Sequence, residues 1–380
     1  MNKYLSHFLY NILAAVLITA LCIAGAPYIA PVFASVSRSV ISNKPTLSYA
    51  DFVNADITND KPEQQAHNTT TTSKDDRQVM NAIVSKDGFD DSDITATPPD
   101  IAKLMRSAVM DQTAKKGATS EQNYRGGGQL LSYGKVQVQA TIPSSFYSPN
   151  IKALLKQGTD LSIPDKSKPT ILIYHSHTTE AYSLLDVGYY IDSDSRSRDS
   201  SRNMVRVGDD LTSYLQKAGF NVIHDRTIHD TDYNSSYDSS RAAIEKYLEK
   251  YPSIEITIDV HRDDITFEDK TKIKPTKKIN GKKAARMMII AGCQYNRVKN
   301  FPDWETNLRF DLQIQSKMAK EYPGLMRPIL FSERKYNMFE TPYSFLIEIG
   351  TDANTLDEAC YSARLFGKAL GEMLNDDYIK

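Results

Sequence analysis

Two histidines and a carboxylate follow directly on an apolar run in Pro169-Thr170-Ile171-Leu172-Ile173-Tyr174-His175-Ser176-His177-Thr178-Thr179-Glu180. His177 and Glu180 have H-x-x-E spacing, which brings one imidazole nitrogen and one carboxylate within reach of a single zinc ion if the chain turns after the strand. His175 shares the strand face of His177 if extension continues, and is a candidate either to ligate in its place or to line the pocket. A third ligand must come from another segment. In Ile254–Asp264, Ile254, Ile256, Ile258 and Val260 occupy one face of a period-two pattern, and Glu255, Thr257, Asp259 and His261 the other. His261, at the carboxyl end of that strand, is the candidate third ligand, with Asp259 placed to orient its imidazole. Arg262 is a candidate to bind an anionic substrate or a developing oxyanion, or simply to pair with Asp263. In Phe345-Leu346-Ile347-Glu348-Ile349-Gly350 a lone carboxylate interrupts an apolar strand. A buried unpaired charge is costly, so Glu348 is expected to meet a cation or carry a functional proton. Two histidines and a glutamate on a metal, with a separate glutamate nearby, are the parts of a zinc hydrolase. There the metal lowers the pKa of a bound water to about 7 and the free carboxylate takes its proton.

The elements that must position these residues alternate from Lys168 onward. Ile171 to Tyr174 reads as a strand, Met204, Val207, Leu211, Tyr214 and Leu215 as the stripe of a helix ending near Gly219, and Phe220 to Ile223 as the next strand. Ile244, Tyr247, Leu248 and Tyr251 mark a helix that stops before Pro252, and the strand carrying His261 follows. Arg286 to Ala291 and Phe345 to Ile349 add strands, and Leu356 to Met373 a long final helix. The pattern predicts an α/β sandwich with a mainly parallel central sheet flanked by helices. In such a sheet ligands bind beyond the carboxyl ends of the strands, where His177 and His261 fall.

The 380 residues are unevenly composed. Phe8 to Ala26 is a nearly uncharged run of nineteen residues, long enough to span a bilayer, and residues 1–34 are expected to form a transmembrane anchor with a cytoplasmic amino terminus and the remainder outside. Residues 35–128 read as a polar, largely disordered spacer with a short helix around Pro99 to Asp111. Residues 129–167 read as a partly ordered segment, and 168–380 as the catalytic domain. Cys293 and Cys360 are too few for a disulfide scaffold. A formal net charge of −1 argues against nucleic acid as the main partner.

Ile171–Tyr182, Ser201–Leu211, Ile228-His229-Asp230 with Thr231-Asp232-Tyr233, Asp259–Asp264 and Phe345–Thr355 together resemble the stage II sporulation protein P family, over about Pro169 to Leu374. The resemblance implies a membrane-anchored, zinc-dependent N-acetylmuramoyl-L-alanine amidase that removes stem peptides from the wall, with endopeptidase action on cross-linked stems also credited to the family. It implies that His177, Glu180 and His261 hold zinc and that Glu348 is the catalytic carboxylate. It further implies work in forespore engulfment, facing the septal wall from the mother-cell side, with peptidoglycan as substrate and a lytic transglycosylase and a multispanning membrane protein as partners. Two other readings compete: a zinc carboxypeptidase acting on wall peptides, and a catalytically silent wall-binding scaffold. An amidohydrolase barrel opened by H-x-H needs about 250 residues in eight strand–helix units, more than the segment after Lys168 supplies.

Overall fold

The computed structural model of the chain describes residues 45–46 and 94–379. The chain divides into Met1–Thr46, of which only the strand Pro45–Thr46 is described, and Leu47–Lys380. The expected span at Phe8–Ala26 lies outside the described residues, as does most of the expected spacer. The single-pass membrane placement is corrected: among the described residues no helix is long and apolar enough to cross a membrane, and the placement is withdrawn.

Eight strands form the central sheet of the second unit: β1 Gln129–Tyr133, β2 Val136–Ala140, β3 Pro169–Tyr174, β4 Asn221–His224, β5 Ile256–Asp263, β6 Met287–Gly292, β7 Ile329–Ser332 and β8 Phe345–Thr351. Their spatial order is β1-β2-β7-β6-β8-β5-β3-β4. Five of the seven pairings are parallel, while β1/β2 and β6/β8 are antiparallel. The sheet is therefore mixed α/β in character and mainly parallel, in two blocks that run in opposite directions and meet at β6/β8.

Helices α1 Pro99–Ser107, α2 Ile151–Gln157, α3 Met204–Lys217, α4 Ser236–Lys250, α5 Trp304–Glu321 and α6 Leu356–Asp377 accompany it. Alternation along the strands divides the apolar side chains between two faces. Ile171, Ile173, Ile256, Ile258 and Val260 pack in one core with apolar residues of α3, α5 and α6. Leu172, Tyr174 and Ile223 pack on the other side against Ile244, Tyr247 and Leu248 of α4. This split follows from the path of the chain. β3–α3–β4 steps outward and β4–α4–β5 steps back past β3; right-handed crossovers in opposite directions place α3 and α4 on opposite faces. The crevice beyond β3 and β5 is thus where the winding reverses.

Two features depart from the sequence reading. Helix α5, 18 residues long, is absent from it, because the face that α5 buries carries Asn307, Asp311 and Gln315 among its apolar residues and breaks the stripe. The hairpin β1/β2 from the segment 129–167 joins the same sheet, with β2 parallel to β7.

Candidate active site

Glu348 and His261 are register partners on β8 and β5, so their side chains emerge side by side where the two strands end. Just past Glu348 the register shifts, and Gly350 takes a φ of 70°. A Cβ there would lie 2.6 Å from Asn354 Oδ1, so the bend that ends β8 after Glu348 needs glycine.

The chain leaves β3 after Tyr174 and turns, with Glu180 N donating to His177 O at 3.1 Å. That turn brings Glu180 to His261: Glu180 Oε2 lies 3.6 Å from His261 Nδ1. The other ring nitrogen of His261, Nε2, faces Asp259 Oδ1 at 2.8 Å. Asp259 is itself fixed, accepting from Ser176 N at 2.9 Å and from Ser176 Oγ at 2.7 Å. The His177 ring stands edge-on to His261 with centroids 5.4 Å apart, and Tyr233 stacks on it at 4.8 Å. His177, Glu180, His261 and Glu348 are all buried.

His175 is not brought into this group. Because the strand ends before it, its ring turns toward α3, with Nδ1 2.9 Å from Val260 O and Nε2 2.8 Å from His224 Nε2. The close approach requires Gly208 on α3, where a Cβ would lie 2.7 Å from His175 Nε2. Arg262 is spent on the loop around Glu180: it donates through Nε to Ala181 O at 3.2 Å and through Nη2 to Ser195 O at 2.8 Å. It thereby holds the Glu180 segment rather than pointing a donor at an open pocket.

Burial sets the electrostatics. It would lower the His261 pKa, but the carboxylates of Asp259, Glu180 and Glu348 outweigh it and push the ring up to about 9. Burial, joined by His261 and Arg196, holds His177 down to about 2. It holds His175 down to about 3, helped by His224. Burial also raises the Glu180 carboxyl, against the opposing pull of Arg262 and His261. Glu348 is pushed up to about 8 by burial and then by Asp263.

Tyr233, Tyr237, Arg196 and Asp230 gather around His177 and escaped the sequence reading: Tyr237 stands edge-on to its ring at 5.3 Å. Tyr233 is 38% exposed, Arg196 lies over its ring at 5.1 Å, and Arg196 pairs with buried Asp230 at 3.0 Å. Asp230 and Tyr233 lie within the matched run Ile228–Tyr233, a polar stretch whose pattern carries no periodic signal.

The model of the family Stage II sporulation protein P (SpoIIP) matches residues 43–371, and the chain belongs to that family. The Stage II sporulation protein P of Bacillus subtilis (strain 168) is 28% identical over 278 residues, which are 66% of this chain and 65% of that protein. The match thus spans just under two thirds of the relative's length. Among solved structures, the chain is similar to the N-acetylmuramoyl-L-alanine amidase AmiC2 of Nostoc punctiforme, at 9% identity and a TM-score of 0.33, over 56% of this chain and 97% of that one. It is similar also to the N-acetylmuramoyl-L-alanine amidase from Clostridium difficile 630, at 14% identity and a TM-score of 0.30, over 55% and 98%.

The donor chemistry at the strand ends suits a divalent cation. Glu180 Oε1 and Glu348 Oε2 are buried without a hydrogen-bond partner among the described residues. The buried carboxylates of Glu180, Asp259, Asp263 and Glu348 are accompanied by two buried guanidiniums, Arg262 and Arg327, which leaves an excess of negative charge. The raised pKa values of His261 and Glu348 supply protons against that excess, and a dication would do the same. His261 stands between two carboxylates, with Asp259 Oδ1 2.8 Å from Nε2 and Glu180 Oε2 3.6 Å from Nδ1, a setting in which a neighbouring carboxylate could orient a metal-binding imidazole. As the side chains stand, no three His, Cys, Asp or Glu among the described residues are gathered closely enough to hold an ion.

Proposed function

We propose that the protein is a peptidoglycan hydrolase of sporulation. It cuts the amide between N-acetylmuramic acid and the L-alanine of the stem peptide, with zinc held by His177, Glu180 and His261. The observation that supports this reading best is His261 standing 3.6 Å from Glu180 and edge-on to the His177 ring, with Glu348 as its register partner on the neighbouring strand. Membership of the family, and the activity the resemblance implies, support it too. Zinc bound there would polarise the scissile carbonyl and make a water acidic enough to lose its proton near neutrality.

The chain's own groups supply the rest. Glu348, buried beside His261 with Oε2 free of hydrogen-bond partners among the described residues, takes the proton of the attacking water at Oε2 and returns it to the alanine nitrogen as that amine departs. Asp259 sets its carboxylate against Nε2 of the His261 ring, 2.8 Å away. Arg262 ties together the adjacent backbone segments at Ala181 O and Ser195 O, which Ala181 N already joins. Tyr233 and Arg196 form the rim that a stem peptide would cross. Of the products, the glycan freed of peptide is of the kind a lytic transglycosylase would process further.

The test compares Glu348→Gln and His261→Ala for zinc content and for hydrolysis of purified peptidoglycan. Glu348→Gln should keep zinc and lose about 10²- to 10⁴-fold in rate, the usual contribution of a positioned acid–base group, whereas His261→Ala should bind less zinc. An active Glu348→Gln would remove Glu348 from the mechanism, and full zinc content in His261→Ala would remove His261 from the donor set.

A further inference from the structure

β2, β6 and β7 run opposite to β5 and β8, so their carboxyl ends lie at the end of the sheet away from His261 and Glu348. Glu348 is paired with Met288, and Ser332 with Gly292, four residues farther along β6. That separation is about 13 Å along the strand direction. A cavity of about 300 Å³ opens there, lined by Thr141, Tyr295, Arg297, Ser332, Glu333 and Arg334 among others. None of these residues takes part in the site described above.

The walls combine three kinds of chemistry. Ser332 is 5% exposed, and its Oγ has no hydrogen-bond partner among the described residues, a costly state unless something else completes it. Glu333 accepts from Arg297 N at 3.0 Å and from Arg297 Nε at 3.2 Å, so carboxylate and guanidinium stand together at the wall. Tyr295 supplies an aromatic wall, and just outside the lining an aromatic ledge continues from it: Phe146 is 40% exposed, its ring 4.4 Å from Tyr295 and 6.4 Å from Trp304.

A simple anion would meet Glu333, and a purely apolar ligand would leave Ser332 unsatisfied. A sugar ring suits all three walls. Its C–H face lies on aromatic rings, and its hydroxyls both donate to carboxylates and accept from guanidinium and serine.

We propose that this cavity is a saccharide-binding site that grips the glycan of the cell wall at the end of the sheet opposite the crevice. The saccharide chemistry stands on the cavity alone; that the sugar belongs to the wall rests on the peptidoglycan reading. A polymer held at a second point keeps its amide bonds at high effective concentration near the crevice.

Trp304, the only tryptophan in the sequence, reports on the ledge. The full chain is titrated with a tetramer of β-1,4-linked N-acetylglucosamine, which carries no peptide, and the emission of Trp304 is followed. A saturable change is expected, weakened at least tenfold in Ser332→Val and in Arg297→Ala and unaltered in Glu348→Gln. The Arg297 side chain is 56% exposed, so its removal leaves the fold intact and the test stands even if Ser332→Val does not fold. No saturable change at millimolar tetramer, undiminished binding in Arg297→Ala, or loss of binding in Glu348→Gln would each overturn the proposal. The tetramer has no stem-peptide amide, so failure of the amidase reading leaves this result untouched. Absence of binding in a protein that still digests wall would sink the saccharide site alone.

Discussion

Arg327 and Asp263 form an ion pair whose removal should be felt strongly. Nη1 of Arg327 lies 2.8 Å from Asp263 Oδ2, and the two side chains are 2% and 1% exposed. Burial raises the Asp263 carboxyl, and Arg327 is the largest opposing influence. Arg327→Leu leaves that carboxyl with the Asp264 N–H, at 2.9 Å on Oδ1, as its remaining close donor. Breaking a buried pair from one side costs about 3–5 kcal/mol, because the other charge stays desolvated and uncompensated. With a urea m-value of about 3 kcal/mol/M, the unfolding midpoint should fall by about 1 M or more. The double variant Arg327→Leu/Asp263→Leu removes both charges and should recover most of the loss, since apolar replacements of buried pairs are often neutral. Urea unfolding followed by circular dichroism measures the parent and both variants. A single-variant loss below about 1 kcal/mol, or a double variant no more stable than the single, would refute the reasoning.

Asp311, fully buried on α5 with neither oxygen hydrogen-bonded among the described residues, has its pKa raised well above the usual range by burial. The native state therefore holds a proton that the unfolded chain releases near pH 4, so Asp311 costs stability increasingly as pH rises above that value. Asp311→Leu should be more stable than the parent at pH 8 and lose that advantage toward pH 4; equal gains at both pH values in urea unfolding would contradict this. Asp259→Asn removes the carboxylate facing His261 Nε2 and should cost about 10- to 100-fold in zinc affinity, read by competition with a chelating dye; an unchanged affinity would deny Asp259 its orienting part. Thr355 caps α6, its hydroxyl accepting from Glu358 N at 3.2 Å while Glu358 Oε2 accepts from Thr355 N at 3.0 Å. Thr355→Ala should lower stability by about 1 kcal/mol, and a thermal midpoint equal to the parent's would show the cap to be redundant.

Much of this arrangement was legible because the strands that carry it are continuous apolar runs ended by polar residues. The run Ile171–Tyr174 and the alternation through Ile254–Val260 locate β3 and β5, and His177, Glu180, His261 and Glu348 follow as the groups at or near their ends. What escaped did so for physical reasons. H-x-H spacing places His175 and His177 on one face only while the chain stays extended, and the turn after Tyr174 sends their rings to different neighbours. Arg262 reads as either a cation for substrate or oxyanion or a partner of Asp263, because sequence shows its position next to His261 and not the carbonyls of Ala181, Asp263 and Ser195 to which it donates. The reversal of strand direction at β6/β8 depends on pairing between segments about sixty residues apart, which local periodicity does not encode.

The central claim is tested most directly by incubating the full-length protein with purified peptidoglycan, with and without a chelator, and identifying the released fragments by mass spectrometry. The account predicts release of intact stem peptides bearing a free amino-terminal alanine, abolished by the chelator and restored by zinc. Release of shortened stems or single terminal residues, or no release by a folded, zinc-loaded protein, would contradict it.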